Sequence, residues 1–134
     1  MLSDYNKTIL ATIEGSRLLD KADSRIKKIV VLLYLVLEEK LDEKLVVTSG
    51  YREGDPRQHG QGYAVDFTLP YMHIFEYAPI TYKIIDKLSQ IYYPITSFGM
   101  YEGIDGDGKW KTHIHIDIMA NRNVMSVYTG TYKK

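Results

Sequence analysis

Residues 113–118 read His-Ile-His-Ile-Asp-Ile. Strict alternation of this kind specifies a β-strand, because side chains two apart share one face of a strand. Ile114, Ile116 and Ile118 then point into a core. His113, His115 and Asp117 point the opposite way. A row of that kind is costly to bury without partners, so it faces solvent or a polar site. Such a chain must contain a sheet with one apolar face and apolar elements to cover it.

Residues 63–69 show the same alternation. Val65, Phe67 and Leu69 fall on one face, and Ala64, Asp66 and Thr68 on the other. The cover is supplied by helical spacing in the first half. Asp4 can cap a first helix that carries Ile9, Leu10, Ile13, Leu18 and Leu19 and ends near Asp20. Ser24 is a good cap for a second helix over 25–41, with Ile26, Ile29, Val30, Leu33, Leu37 and Leu41 three or four apart. Val31, Leu32 and Leu35 make it apolar most of the way round, which predicts the central, most buried helix. A third helix is expected over 78–92, with Pro79 tolerated in its first turn. Strands are expected over 45–49, 95–101 and 111–119, a loop over 53–62, and a turn over 104–108. The tail over 121–134 is polar and Tyr-bearing, a final strand or a loosely held end. The pattern predicts a single α+β domain over 1–134, with helices packed on one side of a small, mainly antiparallel sheet.

Composition narrows the chemistry. The chain has 134 residues, with 17 Lys and Arg against 17 Asp and Glu. Zero net charge argues against a broad basic face for nucleic acid and against a polybasic membrane anchor. The apolar run over 29–37 is far shorter than the roughly 20 residues that span a bilayer. The first five residues show no export signal, so synthesis in a cytoplasm is expected. Cysteine is absent, which excludes disulfides, a thiol nucleophile and thiolate metal sites. A metal would have to be held by carboxylates and by some of four His.

Three of those His lie in two segments with well-placed carboxylates. The first runs Thr48-Ser49-Gly50-Tyr51-Arg52 and then His59-Gly60-Gln61-Gly62-Tyr63-Ala64-Val65-Asp66; the second is the strand at 112–118. If the two strands are neighbours, His59, Asp66 and His115 converge. Two imidazoles, a carboxylate and an open fourth position form a catalytic zinc arrangement. The competing reading is a solvated loop histidine and an exposed strand that carries His and Asp for solubility.

His59-x-x-Gly62-x-Ala64-x-Asp66, with Ser49-Gly50-Tyr51-Arg52 before it and His115-x-Asp117 after it, resembles the zinc D-alanyl-D-alanine carboxypeptidases and the related L-alanyl-D-glutamate endopeptidases, phage lysins among them. The hedgehog signalling domain shares that fold and a comparable His-x-His strand. The resemblance covers residues 46–118. It implies a hedgehog/DD-peptidase-like fold, with His59, Asp66 and His115 as Zn2+ ligands. It also implies Arg52 as the binder of a substrate carboxylate, where a structural ion pair is the alternative. His113 matches the extra His of the hedgehog-like strand and would polarise a carbonyl or stabilise an oxyanion.

The chain also departs from the family. Arg57 stands where many members have Ser, and Thr112 where many peptidases have the acidic general base. Asp117 is the preferred replacement, with an orienting role toward a ligand His as its alternative. Glu102, Asp105 and Asp107 are further candidates. Trp110, beside the ligand strand, lines a groove or packs on the sheet. The expectation is a monomeric zinc metallopeptidase of peptidoglycan stem peptides, a carboxypeptidase or endopeptidase. It would be a phage or prophage product acting on the cell wall after release or within a particle. The alternative is a non-catalytic, zinc-bound structural or binding module of a phage particle.

Overall fold

The computed structural model describes residues 2–104, 106–119 and 125–131. Three α-helices, α1 (Asp4–Thr12), α2 (Ser24–Leu41) and α3 (Ile74–Ile91), accompany five strands. The strands are β1 (Val46–Ser49), β2 (Ala64–Thr68), β3 (Ser97–Ile104), β4 (Trp110–Asp117) and β5 (Ser126–Thr131). They form one open sheet in the order β1-β2-β4-β3-β5. All pairings are antiparallel except β3 with β5, which is parallel. The expected α+β architecture is present, with β5 formed by part of the tail.

The sheet's register sets its two faces. Val65 pairs with Ile116 and Phe67 with Ile114 across β2 and β4, while Phe98 and Met100 face the same two isoleucines from β3. These residues join Ile29, Leu33, Leu37 and Ile85 of the helices in one buried cluster, with Met100 partly buried at its edge. Each fully buried aliphatic side chain there contributes roughly 1.5–3 kcal/mol. The helices therefore cover one face, and α2 buries Ile26, Ile29, Val30, Val31, Leu33 and Leu37. No helix among the described residues is long and apolar enough to cross a membrane.

The helix boundaries differ from expectation for identifiable reasons. Ser3, not Asp4, caps α1, accepting from the Asn6 amide at 3.1 Å. The helix ends at Thr12, because Gly15 takes a left-handed conformation (φ 81°) and Glu14 leaves to pair with Val46 at the edge of β1. Leu18 and Leu19 fall instead in a separate 3₁₀ turn, Ser16–Leu19. Asp23 caps α2, one residue before the expected Ser24, by accepting from the Arg25 amide at 2.9 Å. The third helix begins at Ile74, four residues before the expected start, since His73 caps it by accepting from the Phe75 amide. Pro79 thus lies inside α3, where it removes one helical hydrogen bond.

Candidate metal centre

The uncovered face of the sheet gathers the polar residues. In register, Asp66 of β2 lies opposite His115 of β4, which lies opposite Gly99 of β3, which lies opposite Tyr128 of β5. One line thus crosses four strands on the side away from the helices. His113 lies opposite Tyr101 in the next line.

His59 reaches this line from the loop before β2. A 3₁₀ turn, Gln58–Gln61, carries it, and Gly62 closes the turn in a left-handed conformation at φ 77°. The Arg52 amide donates to the His59 carbonyl at 3.0 Å, which folds the loop back on itself. Gly60 lies directly against the backbone carbonyl of Asp55, with no room for a Cβ. Gly60→Ala is therefore expected to displace the turn, destabilise the protein by about 1–3 kcal/mol as overpacking does, and weaken metal binding. Metal titration beside thermal unfolding checks this, and an unchanged affinity would show that the turn tolerates the methyl group.

The side chains converge as follows. His59 Nε2 lies 3.3 Å from Asp66 Oδ1, and His115 Nδ1 lies 2.8 Å from the same oxygen. One ligand atom from each of the three residues falls within 4.8 Å of the others, a group that can hold a metal ion. The remaining ring nitrogens are tied off. His59 Nδ1 donates to the Gly50 carbonyl at 2.7 Å, so Nε2 is the nitrogen left to face Asp66 and the site. His115 Nε2 donates to Asp117 Oδ2 at 2.8 Å. Such outer partners fix the tautomer and orientation of metal-binding imidazoles. His59 is only 5% exposed and Asp66 7%, so neither belongs to the solvated loop or solvated strand that the competing reading required.

Electrostatics follow from this packing. Burial raises the Asp66 carboxyl, but hydrogen bonds from His115 and His59 outweigh it and hold the group well below the usual carboxylate range. Burial opposes charge on His115 as well. Its bonds to Asp117 and Asp66 prevail and raise it to about 9 in the metal-free protein. Burial dominates at His113 and pushes it below its ordinary value, despite the nearby Asp66. His113 Nε2 is 3.8 Å from Asp66 Oδ2, and its ring stacks on Tyr101 with centroids 4.6 Å apart and planes 7° apart.

The carboxylates considered as proton acceptors separate by location. Asp117 is 2% exposed and fully engaged, with Oδ1 accepting from the Thr96 hydroxyl at 2.8 Å and Oδ2 from His115. Its position fits the orienting role rather than the preferred one. Glu102 pairs with Thr112 and shares the helix-covered face with Met100, away from His115. Asp107 lies exposed in the turn between β3 and β4, and Asp105 lies outside the described residues. The Thr112 hydroxyl bonds to the buried Tyr77 hydroxyl at 2.7 Å. Arg52 is half exposed, with loose ion pairs of 3.8 Å to both Asp55 and Asp66. His73 is a helix cap, remote from the site in role.

Sequence reasoning missed the second ring of contacts. Gly50 entered as part of a motif, not as the carbonyl that fixes His59. Tyr101 and Tyr128 went unassigned. The available signal was the pair of glycines inside strands, which mark close approach. A Cβ on Gly99 would lie 2.6 Å from the Tyr128 ring, and Gly130 is likewise covered by the Tyr101 ring. Both tyrosines line the same cavity of about 540 Å³ as His59, Asp66 and His115. A larger space of about 910 Å³ near α1 has no histidine in its walls.

Comparisons with protein-family models, curated proteins and solved structures return no match. The reading of the site therefore rests on its donor set and its geometry.

Proposed function

We propose that the protein is a zinc-dependent peptidase that hydrolyses amide bonds in peptidoglycan stem peptides. In that reading it is a phage or prophage product that degrades the cell wall after release or within a particle. The observation that carries it is the convergence of His59, Asp66 and His115 with both outward nitrogens occupied. Two imidazoles and a carboxylate suit zinc. Ligand atoms at about 2.0–2.1 Å from a tetrahedral ion lie about 3.3 Å apart. The His59–Asp66 separation of 3.3 Å matches, and the His115–Asp66 contact of 2.8 Å is a hydrogen bond that opens when its proton leaves.

Bound zinc would supply a Lewis acid for the scissile carbonyl and a water with pKa near about 7. The chain's own residues do the rest. Arg52 exchanges its loose contacts for a carboxylate of the substrate, which its planar fork can hold bidentately. His113 is a partly buried imidazole that favours the neutral form, so its ring accepts the proton of the attacking water and returns it to the departing amine. Asp117 holds His115 in place. Thr112 takes no part in proton transfer, as its hydroxyl is committed to Tyr77.

The alternative, a zinc-bound module without turnover, is favoured by one observation: Thr112 and Asp117 are both engaged where a peptidase would need a free acid. Zinc analysis with release of new amines from purified peptidoglycan decides between them. About one zinc per chain with amine release that stops on chelation and returns with zinc is expected. Stoichiometric zinc without release across several peptidoglycan types selects the alternative, and a zinc-free active or inactive chain overturns both.

A further inference from the structure

Strand alternation carries Glu102 to the apolar face of the sheet. It follows Phe98 and Met100 at two-residue spacing in β3, so it leaves the sheet on the side that the helices cover. Glu102 is partly buried, and its Oε2 is closed off from solvent with no hydrogen-bond partner. No other buried side-chain oxygen or nitrogen among the described residues is left in that state. A carboxylate oxygen held in this way is costly, and a partner that donates to the group removes the cost.

Glu102 lines a cavity of about 470 Å³. Ile74 and Phe75 wall it from the first turn of α3, Met100 from β3, and residues 129–131 from β5. No Lys, Arg or His is in these walls, so the carboxylate meets no cation there among the described residues. In the parallel register Met100 lies opposite Thr129 and Glu102 opposite Thr131, which brings both threonines to the same face as Glu102. Phe75 and Met100 also line a neighbouring space of about 340 Å³, whose other walls are Ala78, Pro79, Tyr82, Phe98 and Val127. Apolar surface therefore adjoins the carboxylate.

We propose that this cavity binds a primary ammonium group carried on an apolar stem, with Glu102 as its counter-ion. An ammonium has three donors, and the Glu102 carboxylate with the hydroxyls of Thr129 and Thr131 offers acceptors for them. A planar guanidinium is held best by both oxygens of one carboxylate, whereas a carboxylate flanked by two hydroxyls suits the compact ammonium. The stem lies against Phe75 and Met100. Phe75 is 72% exposed, so its ring is free to turn and admit the group. The site is independent of the peptidase reading. Glu102 and His115 leave the sheet on opposite faces, and Thr131 is the one residue named in the walls of both cavities.

The test titrates the isotope-labelled full chain with n-hexylamine and with 1-hexanol, following backbone amide signals. Saturable shifts at Gly130 and Thr131 are expected, with half-saturation at least about tenfold lower for the amine. In Glu102→Gln the two probes should bind alike, to within about twofold. That variant gives up an unpaired carboxylate, so it should unfold at no lower temperature than the wild type. Phe75→Ala, at an exposed position, should weaken both probes by removing part of the apolar wall. Nα-acetyl-L-lysine methylamide separates the sources of the group: half-saturation close to that of hexylamine names a lysyl side chain of a peptide, and a much higher one names a free amine. Equal binding of amine and alcohol by the wild type overturns the proposal, as does a preference for the amine that survives in Glu102→Gln. Shifts centred on His59 and His115 would place the amine at the metal centre and overturn it as well. A clear fall in the unfolding temperature of Glu102→Gln would show that Glu102 already has a partner within the chain, with the same consequence.

Discussion

On the proposed function, His59→Ala and His115→Ala are each expected to reduce zinc to well below one per chain and to abolish amine release from peptidoglycan. Zinc bound by a small protein site gains about 10–16 kcal/mol in all, so one ligand of four accounts for about 3–4 kcal/mol, on the order of a few hundred-fold in affinity. Turnover should fall further than affinity, because a site with two protein ligands no longer holds its metal in one geometry. The two variants differ in what they leave behind. His59→Ala frees the Gly50 carbonyl and removes one imidazole from Asp66, which keeps His115 as its nearer partner. His115→Ala strips Asp66 and Asp117 of the imidazole that bridges them, and leaves two buried carboxylates without it. The second variant should therefore also lose thermal stability, by about 3 kcal/mol or more as for a buried ion pair missing one member. Activity that persists unchanged in either variant removes the metal from the mechanism. Lost activity with full zinc content would assign the histidine to substrate, not metal.

Much of this site was legible in the sequence because strand alternation is a strict rule. The His-Ile-His-Ile-Asp-Ile run fixes which residues leave the core, and Asp66 alternates in the same way. Pairing of β2 with β4 then brings Asp66 opposite His115. What alternation does not carry is which strands, distant in sequence, become neighbours in the sheet. The parallel pairing of β3 with β5 comes from a long connection, so nothing local announces that Tyr128 will lie over Gly99. The role of Asp117 was also out of reach, since a His-x-Asp spacing is equally compatible with a free carboxylate and with one folded back onto the ring. Helix ends failed for another reason. The expected first helix runs on through Leu18 and Leu19, yet Gly15 and the bridge from Glu14 to Val46 break it after Thr12. Tertiary pairing there outweighs a local propensity worth less than about 1 kcal/mol per residue.

Asp117→Asn should weaken metal binding about 10–100-fold at alkaline pH and by less near neutrality. The substitution keeps the shape of the side chain, so the Thr96 hydroxyl retains an acceptor. It removes the negative charge that makes His115 a strong donor to a metal. The same charge also strengthens the competitor, a proton. In the metal-free protein His115 is raised to about 9 by Asp117 and Asp66 together. A metal at Nδ1 must expel that proton, so wild-type affinity should fall about tenfold for each pH unit below that value. With asparagine the folded value drops toward the ordinary 6.5 or so, held above it only by Asp66, and proton competition begins at lower pH. A raised value means the proton is bound below it, so acid penalises the wild type over a wider range than the variant. The two affinity curves should be furthest apart above about pH 9 and converge as pH falls. Competition against a chromophoric chelator across that range measures both. A ratio independent of pH would show that Asp117 does not hold the His115 proton, and a ratio that widens toward acid would reverse the assigned direction of the coupling.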